Sequence, residues 1–104
     1  DVSHFHAYML RAPYVEQLVQ LDEYSFQAYT YLGLAHYQAG QVEAARSTMK
    51  RAHQLNPVYV ETLVNLAVLE WEHGDPEDAL YYLEKAAALE PDNRDVIVNT
   101  GIIA

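Results

Sequence analysis

The chain has 104 residues, 51% of them hydrophobic, with no cysteine and 15 acidic against six basic side chains, a net charge of −9. That balance excludes a phosphate backbone or an anionic lipid surface as partner, since both reward Lys and Arg. The lack of cysteine excludes disulfide and thiol chemistry while suiting cytosol and periplasm alike, with the cytoplasm favoured. No apolar run approaches the roughly 18 residues of a membrane-spanning helix, and no charged start followed by an apolar core marks a signal peptide, so membrane insertion is not expected. The first residue is Asp1 rather than Met, which reads as a processed chain or an excised fragment.

In chain order, the segment around Phe5 and Met9 reads as a first short helix, and Pro13-Tyr14 starts another that runs to Asp22. Val15, Leu18 and Leu21 repeat at helical spacing there. Residues 1–25 are therefore taken as an N-terminal helical segment, a degenerate partial repeat. Five helices follow: Phe26 to Ala39, Val42 to Leu55, Tyr59 to His73, Pro76 to Leu89 and Arg94 to Ala104. Gly40 and Gly74 are expected to close the helices before them in the left-handed conformation, which glycine adopts without a Cβ clash. After Gly74, Asp75 caps free backbone N–H groups, Pro76 suits the first helical position, and Glu77 and Asp78 favour the positive end of the dipole. Pro57 and Pro91 disfavour helical geometry in the residues before them and so stop two helices.

Residues 26–59 and 60–93 are two copies of one 34-residue pattern. Leu32 recurs as Leu66, Gly33 as Ala67, Gly40 as Gly74, Ala45 as Ala79, Met49 as Leu83, Ala52 as Ala86, Leu55 as Leu89 and Pro57 as Pro91. A period of this length marks helical units that cannot bury their apolar faces alone and must stack on neighbours. Upstream, Leu21-Asp22-Glu23 aligns with Leu55-Asn56-Pro57 and Leu89-Glu90-Pro91; downstream, 94–104 is the first helix of an incomplete third copy. Gly33 or Ala67 on a first helix and Ala45 or Ala79 on its partner permit close backbone approach, while Leu32, Met49, Leu66 and Leu83 fill the space beside them.

Copy one reads Tyr29, Leu32, Gly33, His36, Ala45, Met49, Ala52, Pro57; copy two reads Leu63, Leu66, Ala67, Glu70, Ala79, Leu83, Ala86, Pro91. This resembles the tetratricopeptide repeat. His36 and Glu70 depart from it, standing where the family usually carries Tyr. The resemblance implies an all-α fold, a right-handed superhelical solenoid of antiparallel helix pairs, and a concave groove lined by the first helix of each pair.

The stripe expected to line that groove carries Gln27, Thr30, Tyr31, Leu34, Tyr37 and Gln38 in copy one and Glu61, Val64, Asn65, Val68, Trp71 and Glu72 in copy two. In the last helix it carries Asp95, Val98, Asn99 and Ile102. Spacings of three and four put each set on one face. Leu34, Tyr37, Val64, Val68, Trp71, Val98 and Ile102 give more apolar surface than a merely solvated face, so a partner peptide or helix, or a neighbouring helix of the same chain, is expected to cover it. Asn65 and Asn99 stand one repeat apart, at a place where members of the family commonly use Asn to bond the backbone of an extended peptide. An amide donates and accepts together, which suits that task. The family's co-chaperones that clamp an acidic carboxylate need Lys or Arg on this stripe. Thr30, Glu61, Val64 and Asp95 stand there instead, so the partner is expected to be neutral or basic with apolar side chains.

His4-Phe5-His6 puts two His on different sides of a helix with no carboxylate nearby, so no metal site is expected, and no cofactor. There is no nucleophile with a positioned base and no phosphate-cradling glycine loop, so no enzymatic activity is expected. His36 and Glu70, at equivalent places in successive first helices, read as packing polar groups. The function expected is a scaffold or adaptor module that binds a partner in the groove. The alternatives are a non-catalytic repeat region of a larger enzyme and a self-associating solenoid. The last helix, with Val96, Ile97, Val98, Ile102 and Ile103 around it, lacks the polar face of a terminal cap and is expected to be covered by following sequence or another chain.

Overall fold

The fold was read from a computed structural model, which describes residues 25–103 and, for Ile103, the backbone alone. The expected N-terminal segment, with its helices around Phe5 and from Pro13 to Asp22, lies outside the described residues, as does Ala104. Among the described residues there are five helices: α1 Phe26–Gln38, α2 Val42–Leu55, α3 Val60–His73, α4 Pro76–Leu89 and α5 Arg94–Ile103. Among the described residues there is no strand. The chain is an all-α helical repeat, and it divides between Leu55 and Asn56 into two compact units.

In the first unit, α1 begins at Ser25, whose hydroxyl accepts the Ala28 N–H at 3.1 Å and satisfies one of the donors a helix start leaves open. It ends in a Schellman turn. Gly40 stands at φ 81, its N–H donates to the Tyr37 carbonyl at 3.0 Å, and the Gln41 N–H donates to the His36 carbonyl at 2.9 Å. Three turn residues then return the chain so that α2 packs against α1. The repeat's small residues explain how closely. A Cβ on Gly33 would stand 2.5 Å from Met49 Cγ, 3.3 Å from the Met49 nitrogen and 3.4 Å from the Ala45 carbonyl oxygen. Ala45, Met49 and Ala52 are wholly buried along this seam. Arg51 lies 6.0 Å over the Tyr29 ring, a second tie between the two helices.

The second unit contains α3, α4 and α5. Tyr59 caps α3 through its extended backbone, without a side-chain bond to the open N–H groups of the helix start, and an Asx turn in which Asn56 Oδ1 accepts the Val58 N–H at 3.2 Å holds the approach. Asp75 caps α4 as its type predicts, accepting the Glu77 N–H at 2.9 Å, with Pro76 at the first helical position. Asn93 does the same for α5, its Oδ1 accepting the N–H groups of Asp95 at 2.9 Å and Val96 at 3.2 Å. Leu63, Leu66 and Leu69 on α3 and Leu83 on α4 are fully buried, each stabilising by roughly 1.5–3 kcal/mol relative to exposure. Val60, Leu63 and Val64 of α3, Ala86 of α4 and Val96 of α5 form one cluster that ties all three helices together.

Gly74 departs from expectation. Its φ is −145, not left-handed, and a single bond from its N–H to the Glu70 carbonyl at 2.9 Å ends α3. Only Gly74 and Asp75 separate α3 from α4, and Pro76 forces Asp75 into extended geometry (φ −94, ψ 118), so the two-residue link has no room for the longer turn seen at Gly40. Ala39 and Tyr59 are caps rather than helical residues.

Candidate functional site

The expected stripe is a mixture of packed and open positions. On α1, Tyr31, Gln27 and Gln38 are exposed and Leu34 and Tyr37 are half-buried. Thr30 does not belong to that surface: it is 1% exposed, and its hydroxyl donates to the Phe26 carbonyl at 2.8 Å. A β-branched side chain with a short hydroxyl satisfies itself on the carbonyl four residues back, which lets Thr pack where the spacing alone suggests an outward residue. His36, half-buried, bonds the Gln41 side chain at 2.6 Å within the first unit, and Glu70 is buried.

On α3, Glu61 and Glu72 are exposed, Asn65 and Val68 half-buried, Val64 buried and Trp71 40% exposed. Val64, Val68 and Trp71 share one face at spacings of four and three. On α5, Val98 and Ile102 are 50% and 62% exposed, beside Ile97 at 56%.

The two Asn residues differ. The Asn99 amide donates to the Asp95 carbonyl of its own helix at 2.7 Å, so one of its two N–H donors is already engaged. The Asn65 amide nitrogen is buried and has no hydrogen-bond partner. A buried amide donor left unpaired is penalised by about 1–3 kcal/mol, and in native proteins such donors are mostly paired with protein atoms or ordered water.

Asn65 lines an open cleft of about 370 Å³ wholly within the second unit. Its walls are Tyr59, Val60, Glu61, Val64 and Asn65 from the start of α3, Glu90 and Asn93 from the turn after α4, and Asp95 from α5. The core packing makes this shape: Val60 and Val64 belong to the cluster that clamps α5 onto α3 and α4, so the turn preceding α5 stands beside the start of α3. The Tyr59 hydroxyl donates to the Glu61 carboxylate, and the Asn93 amide donates to Glu90 Oε1 at 3.0 Å.

The electrostatics are one-sided. Residues 56–104 hold ten Asp and Glu against Lys85 and Arg94, a balance of −8 out of the −9 of the whole chain. Neither base lines the cleft, and Lys85 lies 5.3 Å over the Tyr81 ring. Among the described residues no group of three His, Cys, Asp or Glu is arranged to hold a metal ion, and no helix is long and apolar enough to cross a membrane.

Spacing pointed to Glu61, Val64, Asn65 and Asp95, but not to Tyr59, Val60, Glu90 or Asn93. For two of those four the signal is the period itself, since Tyr59 and Asn93 stand 34 residues apart at the starts of successive first helices.

The tetratricopeptide repeat family model matches residues 24–90. An uncharacterized protein, ycf37, of Pyropia yezoensis is 35% identical over 66 residues, covering 64% of this chain and 37% of the relative. This chain therefore spans just over a third of the curated relative it matches. Among solved structures, the first such repeat domain of Spaghetti (RPAP3), bound to the HSP90 peptide SRMEEVD, superposes with a TM-score of 0.87 at 19% identity, covering 96% of this chain and 79% of the other. The type III secretion chaperone SycD of Yersinia enterocolitica, in complex with a peptide of the translocator YopD, superposes at 0.80 with 16% identity, covering 97% and 77%. At these identities the likeness establishes the fold.

Proposed function

The chain belongs to the tetratricopeptide repeat family, whose members are generally non-catalytic protein-interaction modules, and on that premise we propose that it is an adaptor that captures an extended, neutral or basic partner peptide on its first helices, with the Asn65 cleft as principal contact. The observation that carries the reading is the buried, unpartnered Asn65 amide at the wall of an open cleft. A backbone carbonyl of a bound peptide is the acceptor it lacks, and every peptide offers one regardless of sequence. Val68 and Trp71 continue that face, Trp71 six residues and about 9 Å further along α3. Glu72 edges the same face. Tyr31, Leu34 and Tyr37 give the first unit an apolar surface of its own. Peptides bound to the solved relatives named above support the same use of the fold.

The exposed Ile97, Val98 and Ile102 favour a second reading, self-association through α5, with Asn99 at its edge. Sedimentation against concentration tests it: a concentration-independent monomer removes it.

The test of the main reading is selection from a phage-displayed library of random peptides, followed by titration of the winners against the wild type and Asn65→Ala. Enrichment of peptides that depend on Asn65 is expected. No enrichment, or winners indifferent to Asn65 and to Trp71→Ala, refutes it.

A further inference from the structure

Resting on that reading, we infer that the cleft is a recognition pocket for an arginine side chain of the bound peptide. Three carboxylates, Glu61, Glu90 and Asp95, surround a space that contains no base. Glu61 receives only the Tyr59 hydroxyl and Glu90 only the Asn93 amide, both neutral donors, and no ion pair joins any of the three to a Lys or Arg of the described residues. The Asn65 amide nitrogen, buried in the same wall and without a hydrogen-bond partner there, is a neutral donor beside the three acids.

Geometry and charge choose among cations. The carboxylates are not grouped closely enough to coordinate a metal ion, and a lysine ammonium is a compact point charge. A guanidinium is planar, presents five N–H donors in a fixed fork, and reaches several separated acceptors at once. Val60 and Val64, buried in the wall, and the half-buried Tyr59 ring offer an apolar surface for the methylene stem, which arginine covers while its head stays among the acids. The backbone carbonyl near that arginine then accepts from Asn65. The local balance of −8 adds long-range attraction for such a segment.

The test uses the full chain, labelled for nitrogen-15 NMR, and three capped probes: acetyl-Gly-Arg-Gly-amide and its lysine and citrulline counterparts. Citrulline keeps the shape of arginine and removes the charge. The arginine probe is expected to shift the Asn65 side-chain amide and the backbone amides of residues 59–65 and 90–95, more tightly than lysine and at least about 5-fold more tightly than citrulline, the order expected for more than one partly exposed ion pair. Glu61→Gln combined with Asp95→Asn should remove that preference, while the exposed Glu84→Gln leaves it. Rising salt should weaken arginine binding and spare citrulline. Helical circular dichroism of the double variant checks that it folds, and the single variants give a second reading if it does not. Equal affinity for arginine and citrulline with the same Asn65 shifts overturns the arginine pocket and leaves peptide capture standing. Cleft shifts with magnesium or calcium chloride and none with the arginine probe overturn it in favour of a metal. No response of the cleft to any probe also overturns it, and the library selection then decides the fate of the broader reading.

Discussion

Gly33→Ala should destabilise the chain even though alanine is the better helix former. In the middle of α1 the propensity gain is about 0.5–1 kcal/mol. Against it stands a Cβ placed 2.5 Å from Met49 Cγ, 3.3 Å from the Met49 backbone nitrogen and 3.4 Å from the Ala45 carbonyl oxygen. Met49 is wholly buried and the clash is with Cγ, near the root of its side chain, so rotating the thioether end does not relieve it; α1 and α2 have to separate. Overpacking of this kind costs about 1–3 kcal/mol, leaving a net loss of up to about 2.5 kcal/mol, about 1 kcal/mol at the middle of both ranges, and at that middle value a Tm lowered by about 4–8 °C. Gly101 is the internal control, since a Cβ there meets nothing within 4 Å and lies in α5. Gly101→Ala should leave Tm unchanged or raise it. Thermal unfolding followed by circular dichroism reads both. If Gly33→Ala unfolds at or above the wild-type temperature, the close contact between α1 and α2 is wrong.

Three further outcomes follow from other residues. Asp75→Ala removes the bond to the Glu77 N–H and should cost about 1 kcal/mol, seen as a lower Tm, while Asp75→Ser should recover most of it. The Arg46 guanidinium, bonded to Glu43 and reinforced by Lys50, holds the Glu43 carboxyl below the ordinary carboxylate range. A depressed folded value means the contact stabilises above the ordinary value and fades as pH falls through the folded one. Carbon-13 titration of Glu43 should therefore return to ordinary behaviour in Arg46→Ala, and an unchanged midpoint contradicts the pairing. Trp71→Ala should weaken library-selected peptides by about 2 kcal/mol with little loss of Tm, because the ring is 40% exposed in the free chain and becomes a desolvated anchor in the complex.

The helices could be read because their signals are local. Asp75-Pro76, Pro57, Pro91 and the paired small residues each act through backbone geometry within a turn or two, and the 34-residue repeat supplied the pairing of α1 with α2 and of α3 with α4. What periodicity misjudged depends on single side chains. Thr30 sits at an outward register yet packs inward because its hydroxyl is satisfied on Phe26. Asn65 and Asn99 are equivalent in register, but Asn99 turns its amide onto its own helix, a choice of rotamer that spacing does not encode. Gly40 and Gly74 match in sequence and diverge in φ because only the latter is followed at once by an Asp-Pro helix start. The cleft needed residues from two helices, α3 and α5, and the turn after α4, which only the packing of Val60, Val64 and Val96 brings together.

The most direct test of peptide capture is the Asn65 side-chain amide itself. Titrating a library-selected peptide into nitrogen-15-labelled chain should shift the Asn65 NH2 signals and those of residues 59–65, and Asn65→Ala should weaken that peptide by about 0.5–1.5 kcal/mol while leaving Tm nearly unchanged. Shifts confined to the exposed side of α2 around Lys50, with Lys50→Ala abolishing binding and Asn65→Ala silent, would contradict the account.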